Sequence, residues 1–584
     1  MDILFITLTD KIKLYEEVTG SMILATELLE AGFSVNLLRF GQIKSWKKDY
    51  HLFIEQITDR IVEIAPKCVS FFTLCPSYHV VLRIASEVRK KAPDIKIIMG
   101  GPQATILAHP TMEAMPFIDY ICTDEGENTI VPFMHALLRC NGEGLDAIPG
   151  LFYRQDGKII KNDQPVPLTD LDTVPFWNDS LLLPEEGRAE PDITSKYYPM
   201  AIDAGRGCPY NCPYCSTSYF WKRRYRMKSP QRIIQDILYF NQKFGVRSFD
   251  FTHDAFTANQ EVVSKICDSI IEKNLDIYWR CTTRIDCISE ELILKMKQSG
   301  MYRISLGVET GSPRMQKIIR KNLDLSKVKP TIQFLLDNKI YIDLFFMYGF
   351  PEETPEDLQQ TLSLAFEVLD MGIHKIKMHF CLFDPCTEIT VKNYDSLVFD
   401  PSINRVFMNV FGWNEEIEMI QNNKMLFSFY YNLDTPVRRN YQYLSYLLYL
   451  YEGNKNILRY IRSLYNHDDL ALYQDFYKAN QHYLTDIEHM EDTMRNQQMQ
   501  MIFNLIDTLA PANALQLKAW LELSQDIKTV SASKSNMRIQ KDYGIDFMEF
   551  YTNVPFDMLT KASSTVMIEK ENDEFNARLL AIKD

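Results

Sequence analysis

Short apolar runs alternate with amphipathic stretches over the first 145 residues. Asp2–Leu8 is apolar enough for a strand, and Ser21–Ala31 has helical spacing that stops at Gly32. Ser34–Leu38, Cys68–Thr73, Ile95–Met99 and Tyr120–Cys122 follow as strands, with a helix over Tyr78–Lys91. Short apolar strands between amphipathic helices predict a parallel sheet covered on both faces. Such a sheet binds ligands at the carboxyl ends of its strands, near the switch point. The loops after Leu8, Thr73, Met99 and Cys122 are therefore the ones expected to carry a site.

The pattern changes over 146–195. Gly150–Ile160 predicts a β-hairpin turning at Asp156-Gly157. Pro165, Pro167, Pro175, Pro184 and Pro191 then mark an extended connection. The alternation resumes with strands over Met200–Asp203, Ser248–Thr252, Tyr278–Thr282, Arg303–Val308, Tyr341–Met347 and Lys375–Phe380. Helices are expected over Pro230–Phe244, Asn259–Lys273, Ser289–Ser299 and Pro355–Met371. This is the pattern of a full or partial (β/α) barrel, whose chemistry sits at the strand C-terminal ends. After Asp400 the strand signal fades and the chain reads as helix-prone, with no cysteine. Tyr443, Tyr446 and Tyr449 recur at helical spacing, which predicts packing rather than a substrate cage. The organisation expected is thus 1–145 as a sheet domain and 146–195 as a linker with a hairpin. A barrel over 196–395 and a helical domain over 396–584 complete it.

Composition narrows the class. The 584 residues suit roughly three to four domains. A formal net charge of −14 argues against nonspecific nucleic-acid binding. The N-terminus has no basic segment leading a cleavable apolar one. No apolar run is long enough for a membrane span: Tyr441–Tyr451, the most apolar stretch, is short and contains Gln442. The cytoplasm is the compartment expected. Twelve cysteines are too dilute for a disulfide scaffold, yet three fall within eight residues.

Those three lie in Gly205-Arg-Gly-Cys208-Pro-Tyr-Asn-Cys212-Pro-Tyr-Cys215, directly after a predicted strand. Thiolates at this spacing can hold three corners of one cubic iron–sulfur cluster, leaving the fourth iron open. Zinc is the alternative, but structural zinc sites close with four protein ligands, and no fourth Cys or His follows at short spacing.

A Cys-x3-Cys-x2-Cys loop after the first barrel strand, with Tyr214 before the third cysteine, resembles the radical S-adenosylmethionine superfamily. The resemblance covers about residues 198–389. It implies a [4Fe–4S] cluster on Cys208, Cys212 and Cys215, whose open iron chelates S-adenosylmethionine. Reductive cleavage of that cofactor then yields a 5′-deoxyadenosyl radical. It implies further contacts. Asp254 in Phe251-Thr-His-Asp254 would meet the methionine amino group, although His253 stands where the family often has another acid. Ser305 and Glu309, in Ser305-Leu-Gly-Val-Glu309-Thr-Gly311, would be cofactor contacts, with the Glu309 carboxylate accepting both ribose hydroxyls. Gly349 would let backbone approach the adenine, and Arg284 would pair with a carboxylate. A solvated loop acid is the alternative for Glu309, and a surface ion pair for Arg284.

The N-terminal region carries a second resemblance. Gly100-Gly101-Pro102-Gln103-Ala104-Thr follows one strand and Thr123-Asp-Glu-Gly-Glu127-Asn the next. Ahead of a radical barrel, this resembles the cobalamin-dependent (B12-binding) radical S-adenosylmethionine family. The fold implied is α/β: a flavodoxin-like or Rossmann-like cobalamin-binding sheet domain, a (β/α)6-type partial barrel and a C-terminal α-helical domain. Thr73, Cys75, Ser77, Gly101, Gln103 and Glu127 are the implied cobalamin contacts. The Asp-x-His-x-x-Gly motif that supplies a lower-face histidine in methionine-synthase-like domains is absent. His51, His79, His109 and His135 have other contexts.

The resemblance implies an enzyme, with methyl transfer to an unactivated carbon of a peptide or small metabolite as the commonest chemistry. An electron donor such as flavodoxin or ferredoxin would reduce the cluster. Ring contraction, cyclisation or oxidation on the same architecture is the alternative. A non-catalytic cobalamin sensor is a further one, which would need neither the cysteine triad nor Glu309.

Overall fold

The computed structural model describes residues 1–9, 19–41, 50–176, 178–181, 199–400, 414–485 and 498–509, and short pieces at 514, 517–518, 537–542, 565–571 and 574–580. Pro184, Pro191 and most of the loop after Leu8 lie outside the described residues. The chain divides into two compact units, Met1–Thr361 with Met371–Asn440, and Leu362–Asp370 with Tyr441–Asp584.

The first unit begins with β1 (Ile3–Thr9), β2 (Val35–Gly41), β3 (Cys68–Phe72), β4 (Lys96–Gly100) and β5 (Tyr120–Cys122), paired in parallel. Their order, β2-β1-β3-β4-β5, puts the switch point between β1 and β3. Cys68, Val69 and Phe71 are all buried, so both faces of β3 are covered, as its unbroken apolar run requires. The helix at Tyr78–Lys91 falls where expected. A further helix, Tyr50–Ile64, buries Tyr50, Phe53, Ile54, Ile57 and Ile61 on one face. The expected hairpin forms as β6 (Leu151–Gln155) and β7 (Lys158–Lys161), with Asp156 and Gly157 at positive φ in its turn. It is more than a connection, because β6 pairs antiparallel with β5 and extends the sheet to seven strands. The N-terminal sheet therefore runs past residue 145.

The second sheet holds β8 (Met200–Asp203), β11 (Ser248–Thr252), β12 (Tyr278–Arg284), β13 (Met301–Glu309), β14 (Tyr341–Tyr348) and β15 (Lys375–Phe380). All neighbours are parallel, in the order β15-β14-β13-β12-β11-β8, so the six strands form an open sheet with β8 and β15 at its edges. Between β8 and β11, the two-residue strands β9 (Gly205–Arg206) and β10 (Arg226–Met227) pair antiparallel and bracket the cysteine loop.

Residues up to Asn440 cluster with this unit rather than with the helical one expected from 396. Phe427 and Tyr430 pack on Tyr78 and His79 of the N-terminal sheet domain, at 6.1 and 5.5 Å between ring centroids. The second unit has helices at Leu444–Gly453, Lys455–Leu464, Asp469–Thr485 and Gln498–Ile506. Tyr443 stacks on Tyr477 at 5.7 Å, the packing role its spacing predicts. The unit also contains strands that helix-prone sequence did not suggest. β16 (Met537–Asp542), β17 (Thr565–Glu571) and β18 (Glu574–Leu580) form an antiparallel meander. No helix among the described residues is long and apolar enough to cross a membrane.

Candidate functional site

The carboxyl end of β8 leads into the cysteine loop through Gly207, at φ +85°, where any side chain would collide with the Arg224 carbonyl. Asp254, just beyond β11, accepts the Gly207 N–H at 3.1 Å and so braces the loop. Burial raises its carboxyl pKa. Cys208, Cys212 and Cys215 are unpaired and half-buried. Burial raises all three thiols, Cys215 to about 11. Lys321 and Arg284 oppose the shift at Cys212. Such thiols stay protonated at neutral pH and would release their protons to solvent when a metal takes the thiolates.

Glu309 ends β13 beside a register shift, and it is a non-glycine residue at φ +68°. Strain of this kind collects at functional sites. Glu309 is 8% exposed, so it is no solvated loop acid. Its Oε1 accepts from Lys321 Nζ at 2.6 Å. Arg284 is likewise no surface pair. Its Nη2 donates to the Lys321 carbonyl at 2.7 Å, Nε and Nη2 hold Asp286, and the guanidinium lies 3.8 Å from the Tyr210 ring centroid. Arg284 Nη1 is buried with no hydrogen-bond partner among the described residues. Tyr214 meets Phe350 edge-on at 5.6 Å, which ties the cysteine loop to the end of β14. There Gly349, at φ +79°, donates its N–H to Glu353 Oε2. Burial pushes the Glu353 carboxyl up to about 8.

A cavity of about 760 Å³ separates the carboxyl ends of the two sheets. Gly101, Glu127, Asp254 and Ser305 line it, with Phe71, Phe72, Arg206 and Trp221. Gly101 sits at φ +92°, and a Cβ there would stand 2.9 Å from both the Phe72 ring and the Thr73 carbonyl. The acidic turn is clamped by Arg206, whose Nη1 donates to Glu125 Oε1 at 2.7 Å and Nη2 to Glu127 Oε1 at 2.5 Å. Ser305 Oγ lies 3.5 Å from Asp343 Oδ2, and Asp343 is held by Arg303.

Four sequence-predicted contacts lie behind this surface. Thr73 Oγ1 donates to the Gly100 carbonyl and accepts the Ala104 N–H, at 2.7 and 2.8 Å. The Gln103 side-chain amide donates to the Leu426 carbonyl at 3.3 Å. Cys75 is a thiol that burial raises well above its usual range, and Ser77 turns to the Leu74 carbonyl. These residues shape the loops rather than face the cavity. Lys321, Arg206 and Glu353 are the functional positions that no motif spacing singles out.

Among the described residues, His253 is the one histidine lining the cavity. Burial holds it neutral, down to about 4, with Nδ1 accepting the Ala255 N–H and Nε2 against the Arg226 carbonyl. His79 is buried against Tyr430, and His109 is exposed beside Glu113.

Residues 6–133 match the B12 binding domain, and residues 202–365 match the Radical SAM superfamily. The chain belongs to the cobalamin-dependent radical S-adenosylmethionine family. Among its relatives, an uncharacterized methyltransferase of Pyrococcus horikoshii is 29% identical over 49% of this chain and 60% of its own. The anaerobic magnesium-protoporphyrin IX monomethyl ester cyclase of Rubrivivax gelatinosus is 25% identical over 53% of this chain and 56% of its own. The chain thus spans little more than half the length of these curated relatives. Among solved structures, the cobalamin-dependent S-adenosylmethionine radical enzyme OxsB with aqua-cobalamin bound superposes with a TM-score of 0.53. That match has 14% identity and covers 91% of this chain and 81% of OxsB.

A [4Fe–4S] cluster, S-adenosylmethionine and cobalamin are accordingly the cofactors of the two matched domains. The residues present fit them. Among the described residues no three His, Cys, Asp or Glu side chains converge on a single-ion site. The orphaned Arg284 Nη1 suits a carboxylate. The side-chain-free Gly101 on a wall of Phe71 and Phe72 suits a flat macrocycle.

Proposed function

We propose that this chain is a radical enzyme that methylates an unactivated carbon of a peptide or small metabolite. The observation that carries the reading is one cavity walled by both cofactor-binding sheets. A cobalamin loop residue, Gly101, and the cluster-loop brace, Asp254, line the same space. When bound, the cluster and S-adenosylmethionine supply a carbon-centred radical and cobalamin supplies a methyl group. The protein binds, orients and excludes water. Arg284 Nη1 takes the methionine carboxylate, and Asp254 both braces the loop and faces the amino group. Glu309 meets the ribose with the carboxylate oxygen that Lys321 does not hold. Ser305 lines the same cavity as Asp254, and Gly349, its N–H held by Glu353 and its carbonyl by Arg438, offers the adenine a side-chain-free contact surface. Lys321 holds Glu309 in place. Arg206 fixes the height of the acidic turn above the cluster loop.

A methyltransferase among the relatives supports methyl transfer, and a cyclase relative favours the alternative of ring formation on the same architecture. The buried Arg284–Lys321–Glu309 group at Cys212 supports an enzyme over a cobalamin sensor, which would have no need of it. Unpaired thiols throughout suit a reducing compartment, so we place the protein in the cytoplasm with a flavodoxin or ferredoxin as reductant. The test is product analysis after anaerobic reconstitution with candidate substrates. A methylated product is expected; 5′-deoxyadenosine with a cyclised or oxidised product would favour the alternative.

A further inference from the structure

The cysteine loop has a second exposure, away from the cofactor cavity. Cys212 and Cys215 line a wide cleft of about 1040 Å³ that also takes in Tyr219, Arg223, Lys161 and Val391. Its lining carries Lys161, Lys222, Arg223 and Lys392 against Asp124 and Glu388. In a chain of net charge −14, that is a local excess of the opposite sign. Lys222 is held by Asp124 at 3.2 Å and Lys392 by Glu352 at 2.5 Å. Arg223 and Lys161 are exposed and make no ion pair with described residues. Two large apolar side chains stand out in solvent on the same cleft, Tyr219 at 50% exposed and Val391 at 67%.

The turn that presents these cations is strained. Lys222 and Arg223 are consecutive left-handed residues, at φ +52° and +59°. Such a pair is uncommon without glycine. The turn backs directly onto Gly207, the residue before Cys208. The basic turn is thereby fixed to the cluster loop.

We infer that this cleft docks a flavodoxin-like carrier: a small acidic protein that presents the apolar edge of a one-electron flavin at its surface. The inference rests on the radical-enzyme reading. An apolar centre inside a charged rim is the anatomy of a transient interface, and the rim charges steer encounter. A carrier seated on Tyr219 and Val391 lies against Cys212 and Cys215. In the transfer the reduced carrier loses one electron and the cluster gains it, going from the 2+ to the 1+ state. No bond or proton moves.

The test pairs binding with electron delivery, in the full chain with its cluster. Arg223→Glu with Lys161→Glu should weaken binding of oxidised flavodoxin by at least about tenfold at low ionic strength. Added salt should weaken wild-type binding and erase most of the difference. The milder Arg223→Gln with Lys161→Gln should lie between, which guards against misfolding of the reversed pair. 5′-Deoxyadenosine formation driven by titanium(III) citrate should match wild type in both variants, while flavodoxin-driven formation falls. Equal flavodoxin affinity in wild type and variants would overturn the inference, as would an acidic ferredoxin binding here and flavodoxin not. A wild type that yields no 5′-deoxyadenosine even with titanium(III) citrate defeats the radical reading itself, and the inference with it.

Discussion

Arg206 Nη2 donates to Glu127 Oε1 at 2.5 Å, so one guanidinium two residues before Cys208 grips the acidic turn of the other sheet. Arg206 shares Glu125 with Arg226, which takes the other carboxylate oxygen at 2.7 Å, and Asp203 lies 3.5 Å from Arg206. Removing the cation leaves Glu127 and Asp203 buried with less compensation. Breaking a buried pair in this way costs about 3–5 kcal/mol. Arg206→Met should therefore lower the melting temperature of the cofactor-free protein markedly, and Glu127→Gln much less. An unchanged transition in Arg206→Met would mean that the network is solvated.

The cysteine triad is expected to hold about four irons after anaerobic reconstitution. Replacing Cys208, Cys212 and Cys215 together by Ala should abolish both iron binding and 5′-deoxyadenosine. Cys287→Ala and Cys386→Ala should keep the full iron content, although Cys287 contacts Tyr210 of the loop and Cys386 shares the cleft with Cys215. Iron retained in the triple variant would refute the ligand set.

Glu309 and Lys321 form one unit. Hydrogen bonds to a charged acceptor contribute about 1.5–3 kcal/mol each. Glu309→Ala should weaken S-adenosylmethionine binding at least about tenfold, since 1.4 kcal/mol is one decade. Lys321→Met should weaken it too, by freeing the Glu309 carboxylate from its position, while Glu309→Gln should be milder than Glu309→Ala. Titrations on proteins matched for iron content decide. Wild-type affinity in Glu309→Ala would move the ribose site off β13.

His79 gives the fold a pH dependence. Its ordinary pKa is 6.5, and burial pushes it down to about 3. The unfolded chain takes up a proton below 6.5 that the folded chain refuses. Stability is therefore full above pH 6.5 and drains as pH falls towards 3. The loss at pH 5 amounts to about 2 kcal/mol. Thermal melts of wild type and His79→Gln between pH 7.5 and 5 should converge as the pH drops. Parallel curves would show that His79 is reached by water.

Cobalamin bound to this protein should lack a protein imidazole beneath cobalt. Electron paramagnetic resonance of the Co(II) state is expected to show no histidine nitrogen coupling, and His79→Ala or His109→Ala should leave the spectrum unchanged. A coupling lost in either variant would contradict the placement of both side chains.

The parts of this site that a sequence shows are those held by local rules. Met200–Asp203, Ser248–Thr252 and Lys375–Phe380 form strands over the ranges expected, because a short apolar run in the first and strict polar–apolar alternation in the other two fix them. The cysteine spacing and the Asp156-Gly157 turn are equally local. What escaped is set by pairing across the chain. Lys321 follows Glu309 by twelve residues with no motif between, and it is recognisable only once β13 turns back. Gln103 looks like a loop donor until Leu426 arrives 323 residues later to occupy it. Arg206 reads as part of a Gly-Arg-Gly turn, yet its partners come from a different sheet. In the C-terminal unit, the alternation of Met537-Arg-Ile-Gln was the one sign of a strand amid helix-prone sequence.

The Tyr430–His79 bond spans 351 residues, and this bears on how the protein is made. The N-terminal sheet leaves the ribosome first, but the face of Tyr78 and His79 stays bare until Phe427 and Tyr430 have been synthesised. At about 5–20 residues per second, that is roughly 20–70 s of exposed aromatic surface on a nascent chain. The interval invites a chaperone to occupy the patch. It also means that a fragment ending after the seven-stranded sheet would emerge with the same face open, prone to self-association rather than ready to bind a corrin.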